Sequence, residues 1–184
     1  MKIETKRLIL RPIQKSDKKS LIENINNIKI SQWLELVPFP YTEADADWWI
    51  NHCQELEKEE EKKSYEFVII LNETGEDIGG ITLAEINKEQ GTATLGYWIG
   101  EGHWRKGYGS EALDAVLKLA FEKLKLRRIE AGVYAGNQSS GRLLEKFGAK
   151  EEGRKIEAKV CKADGKIKDE IVYGLLKEDW KALE

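Results

Sequence analysis

The chain has 184 residues, of which 41% are hydrophobic, and this size and composition are typical of one globular domain with its own core. Its 30 basic and 33 acidic residues give a net charge of -3, so the composition favours neither a nucleic-acid nor a membrane partner. No apolar run is long enough to span a bilayer and the N-terminus lacks an apolar signal core, so we expect a cytoplasmic protein.

The inventory of cysteines and histidines limits metal and redox chemistry. Cys53 and Cys161 lie far apart and show no metal-ligand spacing, so two reduced thiols are favoured over a disulfide. Only His52 and His103 could add imidazole ligands. We therefore expect no metal site.

The N-terminal half predicts a strand, two helices and a strand meander. Leu8–Arg11 forms the first strand, which Pro12 ends. Ser16 or Asp17 caps the first helix, and Thr42 caps a longer one whose highly charged tail is a solvated face. Three strands follow, over residues 65–71, 78–86 and 92–100.

The third of these strands leads into the segment Trp104-Arg-Lys-Gly-Tyr-Gly-Ser-Glu-Ala112 and then a helix. Gly107 and Gly109 carry no Cβ, so the backbone can turn sharply and approach a ligand closely. A helix N-terminus offers free N–H groups to an anion, and Arg105 and Lys106 add positive charge. The segment predicts a pyrophosphate site, although a single Gly-x-Gly is also compatible with an ordinary helix-entry loop.

The C-terminal third predicts a strand, a short helix and a hairpin. The strand covers residues 128–134, and Asn137 caps the helix, which Gly148 ends. Two long strands, over residues 150–161 and 168–176, are joined by a turn at Ala163–Lys166. This order of elements is typical of a predominantly antiparallel sheet with helices on both faces.

In these segments the chain resembles the GNAT superfamily of acyl-CoA N-acyltransferases, and more closely its ribosomal-protein N-acetyltransferase (Rim-type) branch. The shared motifs occur in family order and span nearly the whole chain: the opening at Glu4–Arg11, the strand Gly-Tyr-Trp-Ile at 96–99, the loop at 104–112 and the segment at 137–149. The resemblance implies an α/β (α+β) fold with a mixed, mostly antiparallel central sheet, helices on both faces and a splayed cofactor cleft. It also implies a single acetyltransferase domain over residues 1–184.

The resemblance implies acetyl-CoA as the co-substrate. It places the pyrophosphate on the backbone amides of the glycine loop, namely Arg105, Lys106, Gly107, Tyr108, Gly109 and Ser110. Pantetheine would lie along Tyr97, Trp98 and Ile99 as though it were an added strand, and the Asn137 side chain would point at the cofactor. A backbone N–H of Tyr97 or Trp98 would then face the thioester oxygen, where negative charge develops. Trp104 stands where the wider superfamily has Gln or Arg, which favours the Rim-type branch.

The proton-handling residues follow from the same resemblance. The Tyr that many members use as a general acid falls at Leu144, whereas the serine of the Rim-type branch maps onto Ser140. Ser140 could equally be a plain capping residue. The Glu that many relatives carry falls near Ala93 or Thr94, so Glu85 on the neighbouring strand is the candidate base, unless it is a surface carboxylate. Without a base the amine must arrive neutral, which is easiest for an N-terminal α-amine.

Aromatic and acidic residues crowd the N-terminal helices, where relatives wall the acceptor cleft. The aromatic residues are Trp33, Phe39, Tyr41, Trp48 and Trp49, and two or three of them are expected in the core; the acidic residues are Glu35, Glu43, Asp45 and Asp47. We expect direct acetyl transfer to a primary amine, with a protein N-terminal α-amine favoured. The alternatives are a small amine or polyamine as acceptor, or a non-catalytic acyl-CoA-binding regulatory domain. Homodimers are common among relatives, so a homodimer is a further expectation.

Overall fold

A computed structural model describes residues 1–183, so the expected domain over residues 1–184 is described up to Leu183 and Glu184 lies outside it. The strands are β1 (Ile3–Glu4), β2 (Leu8–Arg11), β3 (Tyr65–Leu71), β4 (Asp77–Asn87), β5 (Thr92–Ile99), β6 (Arg128–Tyr134), β7 (Lys150–Val160) and β8 (Ile167–Leu176). The helices are α1 (Lys18–Ile25), α2 (Ile28–Ser31), α3 (Glu43–Lys58), α4 (Tyr108–Lys118) and α5 (Gln138–Lys146).

The helix ends follow the capping residues predicted from sequence. Asp17 occupies the N-cap position of α1 without a side-chain capping hydrogen bond, whereas the Thr42 side chain accepts a hydrogen bond of 3.3 Å from the Asp45 N–H at the start of α3. Asn137 caps α5 through its side-chain oxygen. Beyond α5, Gly148 adopts φ +96°, a left-handed conformation that favours glycine and ends the helix. These predictions are confirmed.

Three short elements were not predicted. β1 has two residues and α2 has four, which is too short for either hydrophobic period to show in the sequence. A π-helical turn at Leu119–Lys123 continues α4. Such turns arise where local packing shifts the backbone hydrogen bonds by one residue, and side-chain spacing does not reveal this shift.

The strands form one sheet in the order β1-β2-β3-β4-β5-β6-β8-β7. Neighbouring strands are antiparallel except for β5 and β6, which are parallel and are connected through α4. The predicted mixed, mostly antiparallel sheet is therefore confirmed.

The parallel pair is short, and this opens the sheet at its centre. β5 pairs with β6 only through Thr92–Thr94. Beyond that point β5 stays paired with β4 as far as Ile99, whereas β6 stays paired with β8 as far as Tyr134. Two diverging arms result, residues 95–99 and 131–134. We call the space between them the cleft, and its presence confirms the predicted splay.

Helices cover both faces of the sheet, as predicted. Alternating residues of β3 divide between two buried clusters, with Ile69 on the α4 face and Val68 on the α1/α3 face. Cys53 is free and buried in the second cluster, and Cys161 is also a free, buried thiol. Every helix within residues 1–183 is too short or too polar to cross a bilayer.

Candidate active site

The glycine loop lies between the end of β5 and the start of α4, beside the cleft. Arg105 has φ +60° and Gly107 has φ +83°, two left-handed residues that turn the chain into the helix. Gly107 is the N-cap of α4, and its carbonyl accepts a hydrogen bond of 3.1 Å from the Glu111 N–H. The first-turn N–H groups of α4 have no partner within the helix, so the exposed loop presents donors suited to an anion.

The N-terminal segment holds this loop in place through Glu111, a contact that the sequence did not reveal. The Glu111 carboxylate accepts hydrogen bonds of 2.6 Å from the Thr5 hydroxyl and 2.6 Å from Arg7 Nε. Arg7 Nη1 also donates to the Lys106 carbonyl oxygen at 2.9 Å. Burial acts in the opposite direction, but the bonds from Thr5 and Arg7 hold the pKa of Glu111 below its usual value. The opening motif at Glu4–Arg11 therefore has a structural role at the loop.

Two further side chains connect the loop to its surroundings. The Trp104 indole N–H donates a hydrogen bond of 2.6 Å to the Ile99 carbonyl oxygen, which joins the loop to the end of β5. Lys146 of α5 places its Nζ 3.5 Å from the Ser110 hydroxyl. Lys146 therefore adds a cation beside the loop that sequence reasoning did not select.

The β4–β5 ladder determines which amides of β5 face the cleft. The Gly100 N–H donates to the Ile78 carbonyl oxygen at 2.8 Å, toward β4. Successive residues of an antiparallel strand point their N–H groups to opposite sides, so Trp98 also faces β4 while Tyr97 and Ile99 face the cleft. Of the two amides considered for the thioester oxygen, the alternation favours that of Tyr97.

Tyr97 and Ser140 meet across the cleft. The Tyr97 hydroxyl oxygen lies 2.8 Å from the Ser140 hydroxyl oxygen and 3.1 Å from the Ser140 carbonyl oxygen. Asn137 accepts a hydrogen bond of 3.3 Å from the Ser140 N–H, which fixes the serine in the first turn of α5. Burial raises the pKa of Tyr97 to about 12, so the phenol remains a hydrogen-bond donor. The contact between these two side chains was not foreseen.

Glu85, the candidate base, lies at an irregularity of β4. The register with β5 shifts between Ala84 and Asn87, and Glu85 is exposed with φ +50°. The ion pair with Glu35 raises the pKa of Lys159, and the Glu85 carboxylate acts in the same direction. The Glu85 carboxylate is therefore close enough to Lys159 of β7 to act on it through its charge.

A second carboxylate on this sheet escaped sequence reasoning. Glu66 of β3 accepts a hydrogen bond from the Thr82 hydroxyl, and burial raises its pKa. The register places Glu66, Thr82 and Gly96 in one row across β3, β4 and β5. Gly96 is exposed, so this row reaches the open edge of the cleft.

The β7–β8 hairpin contacts the segment after α2, in the region where the sequence predicts the acceptor cleft. Lys159 pairs with Glu35 at 2.9 Å, and Lys168 Nζ donates to the Gln32 carbonyl oxygen at 2.6 Å. The Lys168 ammonium also lies 5.2 Å from the centre of the Tyr134 ring. In the part of the chain that the structure describes, the buried Tyr134 hydroxyl has no hydrogen-bond partner.

The remaining predicted acceptor residues have mixed positions. Trp48 is 62% exposed, whereas Tyr41 is in the core as expected for some of the aromatics. Lys18 pairs with Glu43 at 3.2 Å and Asp47 at 2.9 Å, so one ammonium offsets part of the charge of these two carboxylates. Among residues 1–183, no group of three or more His, Cys, Asp or Glu side chains is arranged to hold a metal ion.

Comparisons with known proteins agree with this architecture. Residues 7–150 match the family model described as "Acetyltransferase (GNAT) domain". Uncharacterized N-acetyltransferase p20 of Bacillus licheniformis is 32% identical over 176 residues, which cover 96% of each chain. The structure of Mycobacterium smegmatis RimJ in complex with CoA-disulfide is 26% identical with a TM-score of 0.80, covering 93% of this chain and 82% of that one. Spermidine N-acetyltransferase from Vibrio cholerae, in complex with CoA and spermine, shares the fold at 23% identity with a TM-score of 0.77, covering 95% and 98%.

Proposed function

Because the chain belongs to the GNAT acetyltransferase family, we propose that it transfers the acetyl group of acetyl-CoA directly to a primary amine, and that a protein N-terminal α-amine is its acceptor. The whole chain, residues 1–184, would act as one acetyltransferase domain. The observation that carries the proposal is the cleft, which opens beside a glycine loop at the start of α4.

Each part of the cofactor has a matching surface in this proposal. The pyrophosphate binds the amides from Arg105 to Ser110, whose left-handed residues turn the loop toward the helix N-terminus. Pantetheine extends along the free edge of β5, where Tyr97 and Ile99 offer backbone groups and Trp98 supports them from the other side of the strand. Asn137 lies at the start of α5, on the side of the cleft opposite β5, and is assigned to cofactor binding there.

The chemical step needs a polarised carbonyl, a neutral amine and a stabilised thiolate. The Tyr97 N–H donates to the thioester oxygen as negative charge develops on it. The amine nitrogen forms its bond to the carbonyl carbon, the C–S bond breaks with its electron pair on sulfur, and Ser140 donates a hydrogen bond to that sulfur. Glu85 takes the proton that the amine loses, directly or through water.

Two observations bear on the acceptor. The hairpin contacts with the segment after α2 narrow the acceptor side, and the unpaired Tyr134 hydroxyl there offers one oxygen to an amine N–H. A polyamine is the second candidate, because the spermidine enzyme bound to spermine has the same fold. Two of the four carboxylates that would attract a polycation are paired with Lys18, which favours an acceptor carrying a single amine.

Calorimetric titration with acetyl-CoA, followed by thiol release in the presence of different amines, tests the proposal. N-terminal peptides, their N-acetylated counterparts, spermidine and simple primary amines form the panel. Release with free peptides and none with the blocked ones supports the α-amine acceptor, whereas release with spermidine alone would replace it by a polyamine. Binding without release from any amine would favour the non-catalytic regulatory reading. Sedimentation of the same sample tests for a homodimer.

A further inference from the structure

The hydrogen bond between Tyr97 and Ser140 connects the β5 arm of the cleft to α5, the helix that follows the β6 arm. Tyr97 is on β5, whereas Ser140 is on α5, the helix that follows β6. Between these arms the backbone pairing ends at Thr94, so the side-chain bond of 2.8 Å forms where the sheet has already opened. The Tyr97 ring packs against the main core cluster, which holds its hydroxyl in a defined position.

The geometry allows two arrangements of the hydroxyl hydrogens without movement of any heavy atom. In the first, Tyr97 donates to the Ser140 carbonyl oxygen at 3.1 Å and Ser140 donates to Tyr97 at 2.8 Å. In the second, Tyr97 donates to the Ser140 hydroxyl oxygen, and the hydroxyl hydrogen of Ser140 is free to turn toward the cleft. Each hydroxyl has one hydrogen and two lone pairs, so both arrangements lie within its hydrogen-bonding capacity.

We propose that Tyr97 is a positioning residue for Ser140, and that it turns the serine hydroxyl hydrogen toward the sulfur of the departing CoA. This inference rests on the proposed function. As the C–S bond breaks and its electron pair moves to sulfur, Ser140 donates to the thiolate while Tyr97 donates to Ser140. Tyr97 and Ser140 both keep their protons. CoA leaves as the thiolate, and the proton lost by the amine goes to Glu85.

Two features of the site make this chain of hydrogen bonds effective. Hydrogen bonds to a charged group are about twice as strong as neutral ones, and consecutive bonds polarise one another. Ser140 also lies in the first turn of α5, where the helix dipole stabilises a nearby negative charge. The bonds gain strength only as charge develops on sulfur, so they act on the transition state more than on bound acetyl-CoA.

A double-mutant cycle tests the inference with Tyr97→Phe, Ser140→Ala and the pair together. The rate of acetyl transfer in a single turnover should fall about fivefold to tenfold in Tyr97→Phe, while the dissociation constant of acetyl-CoA stays within about twofold. In the Ser140→Ala background, Tyr97→Phe should have no further effect on the rate. Tyr65→Phe removes a phenol from β3, where Tyr65 stacks on Phe67, and serves as the matched control with an unchanged rate.

The outcomes separate this inference from the proposed function. If the wild-type protein releases no thiol with any amine, the proposed function fails first. If the wild-type protein is active and Tyr97→Phe is equally fast, only the positioning role is overturned. Rate losses that multiply independently in the double variant would also overturn it. Weaker acetyl-CoA binding with an unchanged transfer rate would assign the tyrosine hydroxyl to cofactor binding instead.

Discussion

Replacing Gly107 by valine should separate the conformation of the glycine loop from the stability of the fold. Gly107 has φ +83°, and a Cβ at this position would lie 3.3 Å from Arg7 Nη2. A residue with a side chain pays about 1–2 kcal/mol to adopt a left-handed conformation. If the loop keeps its conformation, this cost lowers the free energy of unfolding. If the loop relaxes, its amides turn away from the ligand. Binding of acetyl-CoA must then restore the strained conformation, which lowers the affinity.

The same strain can therefore be measured in two places. A cost of 1–2 kcal/mol borne on binding corresponds to an affinity loss of about fivefold to thirtyfold. We expect most of it in affinity, because the loop is exposed and free to relax, whereas the body of α4 is buried. Titration calorimetry with acetyl-CoA measures the first effect, and urea unfolding without ligand measures the second.

Gly75→Val supplies the matched control. Gly75 has φ +72°, so valine pays a similar backbone cost, and its Cβ would have no neighbour within 4 Å among the described residues. It lies in the β3–β4 turn and not in the cleft. Stability should fall in this variant while acetyl-CoA affinity is unchanged. Equal acetyl-CoA affinity in Gly107→Val and Gly75→Val, with no loss of unfolding free energy in Gly107→Val, would refute the assignment of the glycine loop to the pyrophosphate, because the loop would then have relaxed without weakening the binding.

Three more substitutions examine proton transfer and stability. Ser140→Ala should slow single-turnover transfer about tenfold with little change in acetyl-CoA affinity, because the hydroxyl acts on the departing sulfur; an equal rate would leave Ser140 as a cap. Glu85→Gln should lower the transfer rate and shift the pH–rate profile, since an amide accepts no proton and the amine must then arrive neutral; an unaltered profile would exclude Glu85 and direct the same test to Glu66. Asp77→Asn should raise the free energy of unfolding at about pH 8 by up to about 4 kcal/mol, because burial raises the pKa of Asp77 from 3.8 to about 7. The wild-type protein should lose this stability progressively between about pH 4 and about pH 7, whereas the variant should not; parallel pH profiles in urea unfolding would contradict the reasoning.

Local signals predicted most of the long elements, their caps and the turn at the glycine loop. Thr42 and Asn137 cap helices where they were expected, and Gly107 begins α4 in a left-handed conformation. Each of these positions depends on the conformation of a few neighbouring residues, so a short stretch of sequence is enough to predict it. Short elements such as β1 and α2 were missed because too few residues form them to establish a period.

The contacts that complete the site join residues distant in sequence, and a single sequence carries no signal for them. Nothing near Tyr97 indicates that its hydroxyl meets Ser140, and nothing near Arg7 indicates that it bonds Glu111. Arg7 meets Glu111 because α4 packs across the sheet as far as β2, and Tyr97 meets Ser140 because α5 follows β6, the strand beside β5. Whether the Tyr97 backbone N–H faces the cleft likewise depends on the hydrogen-bond alternation of the β4–β5 ladder and not on residue type.

This difference between local signals and long-range contacts explains why the sequence predicts a cofactor site more readily than the identity of the acceptor. The surfaces assigned to acetyl-CoA consist largely of backbone groups, and glycine and helix-capping residues in the sequence indicate where these groups lie. The acceptor side that we propose is formed by side chains of the β7–β8 hairpin on the segment after α2, where Lys159 pairs with Glu35 and Lys168 contacts Gln32. Substitutions in this hairpin should therefore alter the choice of amine while leaving acetyl-CoA affinity unchanged. Related chains can keep one acetyl donor and change acceptors because the two surfaces are built from different parts of the chain.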